Sequence, residues 1–170
     1  KHLPEILTLQ QSVYEKLENK ELLQRLTEEE FQYILAGNGL VIGAFVAEQL
    51  IATRALLIPP IDEEHLGIAV GLKEAELEKV IYQEISFVDH AYQGNRLQQL
   101  LAKLIMAELN KLDHDFRYVC CTVSPFNIPS LKDKFKQNMH IKALQQIYGN
   151  KLRFIFYKDF YGFLLYCLQF

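Results

Sequence analysis

A mixed α/β (α+β) fold, one central sheet flanked by helices, is what this chain predicts, and three observations carry the prediction. Segments with an apolar period near 3.6 alternate with short β-rich runs along the whole length. Two pairs of those runs are joined by tight turns and so form hairpins. A further pair, Val80 to Val88 and Phe116 to Val123, is joined across a long helix-patterned segment, which only parallel strands allow. The sheet is therefore mixed and largely antiparallel, with one parallel pair around that helix.

Taken in order, Leu3 to Leu17 sets Leu3, Ile6, Leu7, Leu9, Val13, Tyr14 and Leu17 near one helical stripe, with Pro4 suited to a first turn. Thr27, followed three residues on by Glu30, reads as a capping box that opens a second helix ending near Gly37 and Gly39. Leu40 to Ala47 and Leu50 to Ile58 form a hairpin around Glu48-Gln49, closed off by Pro59-Pro60. Val80 to Val88 is the third strand. Asn95 to Leu112 is the strongest helix, with Leu97, Leu100, Leu101, Leu104, Ile105 and Leu112 at helical spacing over about five turns. Phe116 to Val123 is a strand, Asn127 to Asn138 a short helix, and Ile141 to Tyr148 with Leu152 to Lys158 a closing hairpin turned at Gly149-Asn150. No repeat, low-complexity stretch or linker divides the chain, so a single domain over residues 1–170 is expected.

Half of the 170 residues are apolar and 23% are charged, the balance of an ordinary globular domain. A chain of this length buries roughly 70% of its unfolded surface and needs no disulfide or metal to make a core. The three cysteines agree, because Cys120 and Cys121 are strand neighbours pointing to opposite faces and the odd total leaves no tidy pairing. Both read as inert core, and a reducing cytoplasm is the expected setting. A net charge of -3 with scattered lysines and arginines argues against nucleic acid. His2, His65, His114 and His140 show neither an H-E-x-x-H pair nor zinc spacing, so no metal is expected. No apolar run is long enough for a membrane span. The apolar stretch Phe160 to Phe170 is read as an edge strand, a docking segment or a membrane-surface anchor, and it favours a homodimer.

The segment Phe87-Val88-Asp89-His90-Ala91-Tyr92-Gln93-Gly94-Asn95-Arg96-Leu97-Gln98 runs from a strand through a polar turn into the best helix of the chain. Such a helix N-terminus offers unpaired N–H groups and a positive dipole end, and Gly94 lets the main chain approach a phosphate oxygen. A tight-packing turn with no ligand has the same glycine. Neither G-x-G-x-x-G nor G-x-x-x-x-G-K-S/T occurs, which removes the dinucleotide and triphosphate alternatives.

These residues resemble the GNAT superfamily of N-acetyltransferases, in its small bacterial form. Val88 and Tyr92 match its hydrophobic stem, and Gln93, Gly94, Asn95, Leu97 and Gln98 match a variant of its Q/R-x-x-G-x-G/A turn. Arg96 stands where the family has its central glycine. It either crowds a phosphate, turns its guanidinium onto it, or faces outward. Cys121 to Ser130 resembles the family's next strand and its N-x-x-S/A segment, which implies that Asn127 and Ser130 meet the pantetheine arm; simple helix capping is the other reading. The closing hairpin also resembles the family, so the likeness runs from Pro4 to Asp159. Two departures stand out. Lys134 occupies the position, seven residues after Asn127, where the family often has a tyrosine acid, leaving water, Tyr148 or another group for that role. The family's opening strand has no counterpart before the first helix, so it is lost, trimmed, or replaced at that edge by the apolar tail.

The resemblance implies acetyl transfer from acetyl-CoA to a primary amine on a small molecule or peptide, with CoA held by Phe87, Val88, Gln93 to Gln98, Asn127 and Ser130. Proximity of the two substrates does much of that work. Glu84 is the candidate base, since it is the only carboxylate between Val80 and Val88 and an ionisable group inside such a strand needs a reason; a solvated Glu84 is the alternative. Asp89 and His90 are lesser candidates for a proton relay. The acidic loop from Pro59 to Lys79 either attracts a cationic acceptor or is merely solvated. A GNAT-like sensor or interaction module that binds CoA without catalysis, and a purely structural domain, are the competing functions.

Overall fold

Residues 2–160 are described by the computed structural model of the chain, and the expectations placed on 161–170 lie outside them. In chain order the elements are α1 (Leu3–Glu15), α2 (Glu28–Leu35), β1 (Gly39–Val46), β2 (Gln49–Leu57), α3 (Leu66–Ala69), β3 (Val80–Val88), α4 (Leu97–Leu109), β4 (Tyr118–Val123), α5 (Ile128–Lys136), β5 (His140–Ile147) and β6 (Lys151–Asp159). The strands are hydrogen-bonded in the order β1-β2-β3-β4-β6-β5. The β3–β4 pair is parallel, while β1–β2, β4–β6 and β5–β6 are antiparallel. Contacts gather the chain into two compact units, one made of the residues up to Leu57 with Glu84–Asp113, the other of Ile58–Gln83 with the residues from His114 onward.

In the first unit the capping box at α2 is complete: Thr27 Oγ1 accepts from the Glu30 N–H at 3.2 Å and Glu30 Oε2 accepts from the Thr27 N–H at 2.7 Å. Gln10 of α1, itself buried, donates to the Leu26 carbonyl and accepts from the Leu26 N–H, so the strand-like approach to α2 has its polar groups satisfied by a side chain. Ile6 and Leu9 of α1 and Phe31 and Ile34 of α2 pack with Leu50, Ala55, Ile85 and Phe87 of the strands. Leu101 of α4 packs with Ala52 and Val88, which point the other way along their strands. Helices therefore cover both faces of this part of the sheet. At Gly39 a Cβ would lie 2.1 Å from the Leu56 carbonyl oxygen, so only glycine lets β1 begin that close to β2.

In the second unit the parallel register is Val80 to Tyr118, Ile81 to Val119 and Tyr82 to Cys120. Its core joins Leu66, Val80, Tyr118, Cys120 and Ile155. The segment read as an acidic loop is folded: α3 and a 3₁₀ turn over Glu74–Lys79 bury Leu66 and Leu77. Four residues of helix give too little periodicity to be seen in a sequence. Element ends also differ. The long helix begins at Leu97 rather than Asn95, because Gly94 (φ +84°) and Arg96 (φ +58°) are left-handed and cannot continue a helix. It ends at Leu109 rather than Leu112, the fourth strand starts at Tyr118 rather than Phe116, and α5 is Ile128–Lys136 with Asn127 as its N-cap.

Candidate active site

The turn after β3 is assembled by local hydrogen bonds. The Asp89 N–H donates to the Ile51 carbonyl at 2.8 Å, which ties the end of β3 to β2. Asp89 Oδ1 accepts from the Ala91 N–H at 2.9 Å and caps a 3₁₀ turn over His90–Tyr92. Asn95 Nδ2 donates to the Tyr92 carbonyl at 3.0 Å. Asp89 is thus occupied in building the turn, and His90 is exposed beside it. After Gly94 and Arg96 turn the chain, the first amides that donate back into the helix are those of Gln99 and Leu100, both to the Arg96 carbonyl at 3.1 Å. The N–H groups of Asn95, Arg96, Leu97 and Gln98 find no acceptor among the described residues. A Cβ at Gly94 would meet nothing within 4 Å, so the space over the turn is open. Unpaired amides, a helix dipole and open space are the features that an anion requires of a helix N-terminus.

The left-handed backbone at Arg96 answers one departure from the motif. The chain keeps the conformation that a glycine would take at this position, and the exposed arginine adopts it at a cost of about 1 kcal/mol. Phe87 and Val88 are buried in cores on opposite faces of β3, so what they can offer a ligand is main chain. Gln93 is exposed. Gln98 is half-buried; its Oε1 is buried with no hydrogen bond among the described residues, and its main-chain oxygen accepts from Arg54 Nη1 at 3.3 Å. Arg54 is the one charged residue in the otherwise neutral strand QLIATRALL.

Glu84 lies on β3, on the face shared with Ser86 and Val88, and keeps some access to solvent. Burial, and secondarily the negative charge of Glu30, push its carboxyl pKa up to about 7. A carboxyl there exchanges its proton near neutrality, as a general base should. Glu84, Phe87, Val88 and Gln93 to Gln98 all belong to the first unit.

Asn127 and Ser130 belong to the second. Asn127 Oδ1 accepts from the Ser130 N–H at 3.1 Å, which is the helix-cap arrangement. Lys134, at the position of the missing tyrosine, is buried in a closed ring. Its Nζ donates to Gln83 Oε1 (2.7 Å) and Asp133 Oδ2 (3.2 Å), Gln83 Nε2 donates to Gln137 Oε1 (2.7 Å), and Gln137 Nε2 donates to Asp133 Oδ2 (2.8 Å). Tyr148 is exposed with its hydroxyl 3.3 Å from Thr122 Oγ1. Burial pushes the Cys120 thiol up to about 12, which makes it unreactive. Among the described residues no group of three or more His, Cys, Asp or Glu side chains is placed to hold a metal, and no helix is long and apolar enough to cross a membrane.

Neither a protein-family model nor a curated protein sequence matches the chain. Solved structures do. A GNAT-family acetyltransferase from Streptococcus pneumoniae superposes with a TM-score of 0.66 at 17% identity, over 93% of each chain. A ribosomal-protein-alanine N-acetyltransferase from Brucella melitensis gives 0.64 at 14% identity, over 93% of this chain and 94% of that one. An N-acetyltransferase from Staphylococcus aureus gives 0.65 at 14% identity, over 93% and 92%. With a mixed sheet whose parallel β3–β4 pair is joined through α4, the chain has the fold of the GNAT acetyltransferases.

Proposed function

We propose that this protein is an N-acetyltransferase that uses acetyl-CoA and acetylates a primary amine. The observation that carries the reading is the row of unpaired amides from Asn95 to Gln98 under open space at the start of α4. This donor set fits a pyrophosphate: several unpaired N–H groups follow one another at a positive helix end, and Gly94 has no side chain to stand in the way. Main chain at Phe87 and Val88 and the exposed amide of Gln93 lie along the same strand-to-turn path. The bound thioester would supply an activated acetyl group. Attack by the neutral amine on the thioester carbonyl forms a C–N bond and breaks the C–S bond, and the proton shed by the new amide nitrogen ends on the departing sulfur, so that CoA leaves as its thiol. Glu84 takes the proton that the ammonium must lose, and a carboxyl titrating near 7 does so at neutral pH without holding it permanently.

Thermal melting with and without acetyl-CoA tests the binding half, since a ligand at about 100 times its Kd adds roughly 2.7 kcal/mol of stability. Release of free thiol across a panel of amines tests the transfer half. An absent shift sinks the proposal. One observation favours a second reading, a CoA-binding sensor without catalysis: Lys134 replaces the expected hydroxyl and is locked in a hydrogen-bonded ring. A melting shift with no thiol release under any amine would select that reading.

A further inference from the structure

The net charge of -3 is unevenly laid along the chain. From Arg117 to Lys158 there are eight lysines and arginines and one acid, Asp133, while the remainder carries ten against twenty. All of that basic stretch belongs to the second unit, and α5 turns part of it outward. Ile128, Lys132, Phe135 and Lys136 stand at i, i+4, i+7 and i+8, which is one face of a helix, and all four are exposed. Phe135 stays 52% exposed although its ring meets Phe156 of β6 edge-on. Across the closing hairpin Phe156 pairs with Ile141 and Phe154 with Leu144. The bulge at Lys142 brings Ile141 and Leu144, three residues apart, to the same side of the sheet as Phe156, and both are exposed. Lys132 and Lys136 make no ion pair or hydrogen bond among the described residues.

We propose that this face docks on an anionic lipid bilayer, with Ile128, Phe135, Ile141 and Leu144 entering the boundary between headgroups and acyl chains and Lys132 and Lys136 meeting the phosphates. Large apolar side chains standing exposed between lysines gain nothing from a polyanion in water. A bilayer surface takes both at once, because the apolar groups leave water while the ammonium groups stay at headgroup level. Charge complementarity selects the lipid: each lysine near a negative leaflet is attracted to it, and the excess of basic residues around the face adds to that field within a Debye length. The contact is a reversible one at the surface. It does not depend on the acetyltransferase reading, and Asn127 and Ser130 have no part in it.

Co-sedimentation of the full chain with vesicles tests this, comparing phosphatidylcholine alone with vesicles in which about a third of the lipid is phosphatidylserine. Wild type is expected to bind the anionic vesicles at least about tenfold more tightly than the neutral ones, and inorganic phosphate should not compete. Lys132→Gln with Lys136→Gln should weaken that binding about tenfold, and a control that removes the same charge elsewhere, Lys16→Gln with Lys103→Gln, should stay within about twofold. Phe135→Ser with Leu144→Ser should also weaken it about tenfold, through lost apolar area. All of these substitutions fall on exposed side chains, so Tm should stay within about 2 °C of wild type. Absent binding to the anionic vesicles overturns the proposal, as does a lysine pair that behaves like its control or an apolar pair that binds like wild type. Three other results also overturn it by giving the face a different occupant. Self-association lost in the same variants, with no vesicle binding, assigns it to a second copy of the chain. A clear fall in Tm for the apolar pair assigns it to the chain's own residues. Binding to polyglutamate in place of vesicles assigns it to an acidic protein.

Discussion

Replacing Glu84 by glutamine removes the one ionisation that β3 resists. The Glu84 carboxyl is raised from an ordinary value of 4.5 to about 7. At about 1.4 kcal/mol per unit, that gap corresponds to about 3 kcal/mol of folding free energy. A raised acid pKa means that the folded state holds the proton more tightly than the unfolded chain. The contribution is therefore fully present below 4.5 and is lost as pH rises through about 7. Glutamine imitates the protonated form and has no such window. Glu84→Gln should match wild type near pH 4.5 and exceed it by up to about 3 kcal/mol at pH 8, or roughly 6–12 °C in Tm for a chain of this size. Melts of both proteins at pH 5, 6, 7 and 8 measure the difference directly, because titrating groups not coupled to Glu84 cancel between them. With an amine acceptor in hand, kcat/KM of wild type should rise through about pH 7, and the variant should lose that inflection with roughly 100-fold of rate. A stability difference that stays constant from pH 5 to pH 8 would refute the burial argument for Glu84.

Glu30→Gln deletes the second cause of that shift while keeping a side chain able to close the capping box, so the Glu84 inflection should move to lower pH in the same melts with α2 intact. Gly94→Val forces a β-branched residue to φ +84°, at a cost of about 1–3 kcal/mol by denaturant unfolding, and should weaken CoA more than it weakens pantetheine. Lys134→Ala breaks the ring with Gln83 and Asp133 and leaves a half-buried carboxylate with less compensation, which should cost about 3 kcal/mol and appear as a fall in Tm of roughly 6–12 °C.

What could be read from the sequence was local. The Thr27–Glu30 box, the leucine spacing of α4 and the hairpins follow from neighbours within four or five residues, and each is found close to where its pattern puts it. The parallel β3–β4 pair also follows locally, because the intervening helix is too long for a hairpin. Glu84 was visible for the same reason, as a carboxylate inside an apolar strand, and Gly94 as the glycine of a strand-to-helix turn. Pairings between distant residues were not visible. Arg54 meets Gln98 across 44 positions and Lys134 meets Gln83 across 51, and such pairs depend on strand register and helix placement that no local pattern encodes. The left-handed turn at Arg96 was hidden because arginine carries no preference for it. The lone four-residue helix α3 was hidden by its length.

Amide hydrogen exchange across residues 93–98, with and without saturating CoA, addresses the anion turn most directly. The amides of Asn95 to Gln98, which have no acceptor among the described residues, should exchange markedly more slowly once phosphate oxygens accept from them, and pantetheine alone should not slow them. Unchanged exchange at Asn95, Arg96, Leu97 and Gln98 in the presence of bound CoA would contradict the account.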